Sequence, residues 1–142
     1  MSGETPPFEI TEHTADVGIV ARGQELRELF ANAAVAMFHV VADLDGVAER
    51  ESRSVRVQGH DWESLLVHWL NELLYYLDAE GLLFRRFDIQ ELEPYRLGAI
   101  AWGERLDPER HQLKVGIKGV TRHLLEVRQE DGGWLARLVL DI

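Results

Sequence analysis

Apolar and polar residues alternate in "FEITE" at 8–12 and again in "VGIVARG" at 17–23, the period of a half-buried strand. Between the two runs stands the polar break "HTAD" at 13–16, which reads as a turn joining them. Past Gly23 the period changes. Leu26, Leu29, Phe30, Ala33, Met37, Phe38 and Val41 follow steps of three and four, which predicts an amphipathic helix over 24–43. Alternation returns in "ESRSVRVQGH" from Glu51, with Val55 and Val57 on one face. Asp61 then offers a carboxylate to the orphan N–H groups of a second helix running to about Ala79, and Gly81 stops it. That helix carries Leu65, Leu66, Trp69, Leu70, Leu73, Leu74 and Leu77, with Val67, Tyr75 and Tyr76 widening the apolar surface beyond one stripe. A helix so covered is expected to be deeply seated.

The rest of the chain, "LLFRRFDIQELE", "RLGAIAWGERL", "QLKVGIKGV", "HLLEVRQE" and "WLARLVLDI", is a series of strand-length alternations, with turns supplied by Pro94, "LDPE" and "EDGG". Asp131 with Gly132 and Gly133 makes "QEDGGW" the clearest hairpin signal, so the last two strands should pair antiparallel. The expected fold is an α+β, two-layer domain: a largely antiparallel mixed sheet with two main helices packed on one face. Residues 1–7 read as a loose tail and 8–142 as a single domain.

Composition narrows the chemistry. Hydrophobic residues are 46% and charged residues 28% of the 142, ordinary for a packed domain. The chain contains no cysteine, which excludes a disulfide, a thiolate zinc site and a catalytic thiol, and fits a reducing cytoplasm. No secretory leader or membrane span is apparent, so a cytoplasmic protein is expected. Twenty-five acidic residues against 15 basic ones give a net charge of −10, a repulsive average field for nucleic acid and a favourable one for a cationic partner or metal ions.

No phosphate-binding glycine loop, dinucleotide fingerprint, HExxH or GxSxG motif is present, and the six histidines lack the paired spacing of a zinc site. Two places stand out. One is the opening turn, where His13, Thr14 and Asp16 crowd polar atoms between two strands; taken alone, a side-chain-capped turn is the simpler explanation. The other is the end of the chain, where a core strand runs up to Asp141 and the α-carboxylate of Ile142. Adjacent carboxylates repel unless neutralised. If the last strand lies beside the one that begins at Asp16, then Asp16, Asp141 and the Ile142 carboxylate converge as an all-oxygen site suited to Ca²⁺, Mg²⁺ or Mn²⁺. Lys118 or Arg122 is the competing neutraliser.

The residues also resemble a family. "EHTADVG" at 12–18, "WLNELLYYLDAEGLLF" at 69–84, "IKGVTRH" at 117–123 and the terminal "LVLDI" are similar, in the same order, to the motifs of the archeases. The resemblance covers nearly the whole chain. It implies a small α/β protein that is not an enzyme but the activator of an RtcB-type RNA ligase, the enzyme that joins tRNA halves in splicing and acts in RNA repair. Such a protein promotes guanylylation of the ligase from GTP and its multiple turnover. By the same resemblance the divalent cation falls to Asp16, Asp141 and the terminal carboxylate of Ile142, Lys118 has a part in activation, and His13 lies in the matching motif. Arg122 departs from the family pattern, which has an aromatic residue there. The rival readings are a metal-dependent phosphoester hydrolase, with His13 or His123 as general base, and a chaperone or scaffold for RNA-modifying enzymes. Neither membrane nor direct nucleic-acid binding is expected.

Overall fold

A computed structural model describes residues 6–12 and 15–142 of the chain. In chain order the elements are β1 (Phe8–Glu12), β2 (Asp16–Gly23), α1 (Leu26–Val41), β3 (Glu51–Gln58), α2 (Trp62–Glu80), β4 (Leu82–Glu93), β5 (Arg96–Arg105), β6 (Gly119–Glu130) and β7 (Gly133–Asp141), with a short 3₁₀ turn at Leu44–Gly46. Both helices fall where the three- and four-residue steps put them. The class is α+β, and every strand pairing is antiparallel. The strands divide between two sheets, one of order β1-β2-β7-β6 and one of order β3-β5-β4.

Each helix touches both sheets, α1 packing on β2 and β4 and α2 on β6 and β3, so one core serves the whole domain. At its centre the Trp69 indole N–H donates to the Phe30 carbonyl at 3.0 Å, which satisfies a fully buried polar group and fixes α2 against α1. Around it Phe38, Phe84 and Phe87 meet at centroid separations of 5.8 to 6.2 Å, in the edge-on and tilted geometries that aromatic quadrupoles favour.

The wide apolar surface of α2 is thereby explained, and its start is fixed as expected. Asp61 accepts the Ser64 N–H at 2.7 Å while the Ser64 hydroxyl accepts the Asp61 N–H at 3.2 Å, a reciprocal capping box. The Ser64 backbone bond holds the Asp61 carboxyl below its ordinary value of 3.8. A carboxylate with a lowered folded-state pKa stabilises above its unfolded pKa and loses that stabilisation as pH falls through the folded one. Asp61→Ala is therefore expected to cost about 1 kcal/mol at neutral pH and less in strong acid, as read by urea unfolding.

One stretch departs from the alternation. "QLKVGIKGV" reads as a strand, but of residues 112–118 only Leu113 makes a bridge, to Ala42, and β6 begins at Gly119. The physical reason lies in its backbone partners: Asp43 N–H donates to the Gln112 carbonyl at 3.1 Å and Lys114 N–H to the Val41 carbonyl at 2.8 Å. Its first half is tied to the end of α1 instead of to a strand.

Candidate functional site

The strand register decides where the ends of β2 and β7 meet. Asp16 is the direct partner of Asp141, and on the other side of β7 Asp141 is the partner of Gly119. Lys118 N–H donates to the Asp141 carbonyl at 2.7 Å, and Ile142 N–H reaches the Ala15 carbonyl at 3.4 Å. Val17 and Leu140, the next pair along, are 1% and 0% exposed and face the core. Because side chains alternate, Asp16 and Asp141 stand together on the opposite face.

Cross-strand partners place their Cβ atoms about 4.5–5.5 Å apart, and like charges there are destabilising. Among the described residues, the ion pairs involve neither aspartate, nor Lys118, nor Arg122. Lys118 adjoins Asp141 through the main chain, and Arg122 exerts its charge on Asp61 at the start of α2. Also among the described residues, no group of three His, Asp or Glu side chains is placed to hold a metal. Asp16 and Asp141 would thus supply two side-chain donors, and among the described residues a third would come from the main chain or from the carboxylate of Ile142. Oxygen donors of this kind suit a hard divalent cation and not zinc. The donor chemistry fits the expected ion.

His13 and Thr14 of the opening turn lie outside the described residues. Of the other histidines, His68 Nδ1 is 2.7 Å from the Gln58 carbonyl and the His39 ring lies 5.7 Å from that of Phe8. His123 is exposed within a bulge of β6.

Two features escaped the sequence reading. Asn71, on α2, accepts the Val120 N–H at 3.2 Å, and Glu63, two turns earlier, accepts the Val127 N–H at 3.1 Å. Through them α2 covers the outer edge of β6, which would otherwise expose unpaired backbone groups. The second is Glu104, 2% exposed, which accepts from Ala48 N–H at 2.8 Å, from His111 Nε2 at 2.9 Å and from Arg110, with Arg50 3.2 Å away. Asp107 N–H donates to His111 Nδ1 at 2.8 Å, so the ring proton is on Nε2 and points at the carboxylate. Burial pushes the Glu104 carboxyl up, but the Ala48, His111 and Arg110 donors outweigh it and hold it down at about 2. This cluster ties the segment after α1 to the one after β5.

With this geometry in place, likeness to known proteins is informative. Residues 8–142 match the archease protein family (MTH1598/TM1083). Protein archease of Pyrococcus abyssi is 45% identical over 139 residues, spanning 95% of this chain and 98% of that one. That of Methanosarcina mazei is 40% identical over 146 residues, spanning both chains in full. The solution structure of protein 1598 from Methanobacterium thermoautotrophicum has a TM-score of 0.83 at 40% identity, over 96% of this chain and 99% of that one. A crystal structure from Thermotoga maritima, described as an archease and possible chaperone, shares the fold with a TM-score of 0.67 at 19% identity, over 100% of this chain and 99% of that one. Matched from Phe8 to Ile142 in sequence and over nearly its whole length in structure, the chain belongs to the archease family.

Proposed function

We propose that this chain activates an RtcB-type RNA ligase, promoting the ligase's guanylylation from GTP and its repeated turnover in tRNA splicing and RNA repair. The observation that carries the reading is the direct pairing of Asp16 with Asp141, with Ile142 hydrogen-bonded alongside. Family membership supports it, and so does the description of the Thermotoga relative as a possible chaperone, a role exercised on another protein.

Asp16, Asp141 and the carboxylate of Ile142 would hold a divalent cation, Ca²⁺, Mg²⁺ or Mn²⁺, that supplies compensating positive charge and Lewis acidity at the contact with the ligase. The chain's own residues do the rest. β2 and β7 keep the two carboxylates level, and the Lys118 N–H bond to the Asp141 carbonyl holds the backbone of Lys118, which would be the activation residue, next to them. A net charge of −10 steers the chain toward the basic cleft of a nucleic-acid enzyme. His13 belongs to the same motif. Among the described residues no helix is long and apolar enough to cross a membrane, and the proposed place of work is the cytoplasm.

The test is guanylylation of the cognate ligase from GTP, with the wild-type chain and with one carrying a short extension beyond Ile142. Such an extension removes the terminal carboxylate without altering a side chain. Wild type is expected to stimulate multiple turnover and the extended chain to stimulate at least about tenfold less, as the loss of one ligand from a small all-oxygen set implies. Equal stimulation by the two sinks the terminal carboxylate as a ligand. Phosphoester turnover by the isolated chain would favour the hydrolase instead.

A further inference from the structure

α2 runs antiparallel to β6 and is joined to it by side chain at two points, Glu63 accepting the Val127 N–H and Asn71 accepting the Val120 N–H. The two spans do not match by chain length. Glu63 and Asn71 are eight residues apart on a helix, about 12 Å of rise, while Val127 and Val120 are seven residues apart, about 23 Å in a regular strand. The bulge in β6 removes the difference. Its register with β7 jumps from Thr121↔Val139 to Glu126↔Arg137, so Val127 and Val120 oppose Ala136 and Leu140, four residues and about 13 Å apart.

That match has a cost. Inside the bulge Leu124 has φ of 57°, a left-handed conformation that is unfavourable for a branched apolar side chain, and at 61% exposed it gains nothing from burial. What the bulge provides is the second bond, because a regular β6 could reach Glu63 or Asn71 but not both.

The bond to Asn71 falls at the entry to β6. Val120 follows Gly119, the partner of Asp141, and the Lys118 N–H donates to the Asp141 carbonyl. Side chains do little to fix this entry. Lys118 is exposed, a Cβ added at Gly116 would meet nothing within 4 Å, and one added at Gly119 would meet only Asn71 Oδ1, at 4.0 Å. Apart from the buried Ile117, the stretch is held through its backbone, to Asp141 on one hand and to Asn71 on the other.

We infer that Asn71 is a positioning residue for the Asp141 end of the site: it fixes the first residues of β6, and through them the backbone from which Asp141 and Lys118 project. This rests on the reading of Asp16, Asp141 and the Ile142 carboxylate as cation ligands. Asn71 acts through Gly119 and Lys118, as an outer hydrogen-bond partner orients a metal ligand, and is not itself a ligand.

The experiment compares the wild-type chain with Asn71→Leu and Asn71→Asp in the absence of any ligase, reading the thermal midpoint, amide hydrogen exchange at Lys118 by NMR, and Ca²⁺ affinity by calorimetry. Leucine is a good helix former of similar size that accepts no hydrogen bond, and aspartate keeps the accepting oxygen. Lys118 is the informative amide, since its own bond goes to Asp141 and survives the substitution. Asn71→Leu is expected to fold, to exchange at Lys118 at least about tenfold faster and to bind Ca²⁺ about tenfold more weakly. Asn71→Asp should protect Lys118 as wild type does and bind Ca²⁺ at least as tightly; Asn71→Ala should repeat the leucine result. If the leucine and alanine variants match wild type in both readings, Asn71 only covers the edge of β6 and the cation site stands. A wild-type chain that binds none of Ca²⁺, Mg²⁺ and Mn²⁺ overturns the cation site and this inference with it.

Discussion

If this chain activates the ligase as proposed, Asp16→Ala and Asp141→Ala should each remove at least about nine-tenths of the stimulation of guanylylation, because a single remaining side-chain carboxylate would hold a divalent cation far more weakly. Stability gives an independent readout with opposite signs. In chelator the wild-type chain carries two like charges on paired residues, so either alanine variant, or Asp16→Asn, is expected to be about 0.2–1 kcal/mol more stable. With cation at about a hundred times its dissociation constant, the wild type gains about 2.7 kcal/mol and the variants gain little, so the order reverses. Thermal unfolding with chelator and then with Ca²⁺, Mg²⁺ or Mn²⁺ measures both halves. A variant that still stimulates like wild type removes the carboxylate pair from the mechanism.

The largest stability effect belongs to a different carboxylate. Glu104→Ala leaves the Ala48 N–H and the buried His111 Nε2–H without their acceptor and takes the ion-pair partner from the half-exposed Arg110, a loss of about 3–5 kcal/mol. For a chain of this size that is on the order of 10 °C in the thermal midpoint. Acid titration supplies the check. The folded carboxyl is held at about 2 against an ordinary 4.5, so its contribution is fully present above pH 4.5 and drains away as pH falls toward 2. A shift of that size corresponds to stabilisation on the order of 3 kcal/mol, in line with the substitution. Glu104→Gln should flatten the acid limb of stability against pH in guanidinium unfolding. An unchanged limb would show that Glu104 is already neutral in the fold.

Local order was legible in the chain because it is set by local rules. The two helices follow from apolar spacing, the start of α2 from the N-cap Asp61, and the β6–β7 hairpin from the Asp131–Gly132–Gly133 turn. Partition of the strands into two sheets was not legible, since it depends on which edges meet across the core. Glu104 was hidden for another reason. It continues the outward side of β5 shared by Ile100 and Trp102, so alternation makes it a solvated residue, and only the segment after β5 folding back buries it. Of the candidate site, Asp16 and Asp141 were legible as a conditional: chemistry named the residues, and the β2–β7 register supplied the adjacency. Lys118 emerges beside Asp141 through its backbone, and the charge of Arg122 acts on Asp61.

The position of β7 has a consequence for biogenesis. The four-stranded sheet is bridged at its middle by residues 133–141, which leave the ribosome after the sheet's other three strands. At ordinary rates of synthesis the nascent β1–β2 hairpin waits on the order of ten seconds for its inner neighbour, its free edge open to pairing with other chains. Truncated products that stop short of residue 133 lack the strand that joins β2 to β6, so a single closing event completes both the nascent sheet and the place where Asp16 finds Asp141.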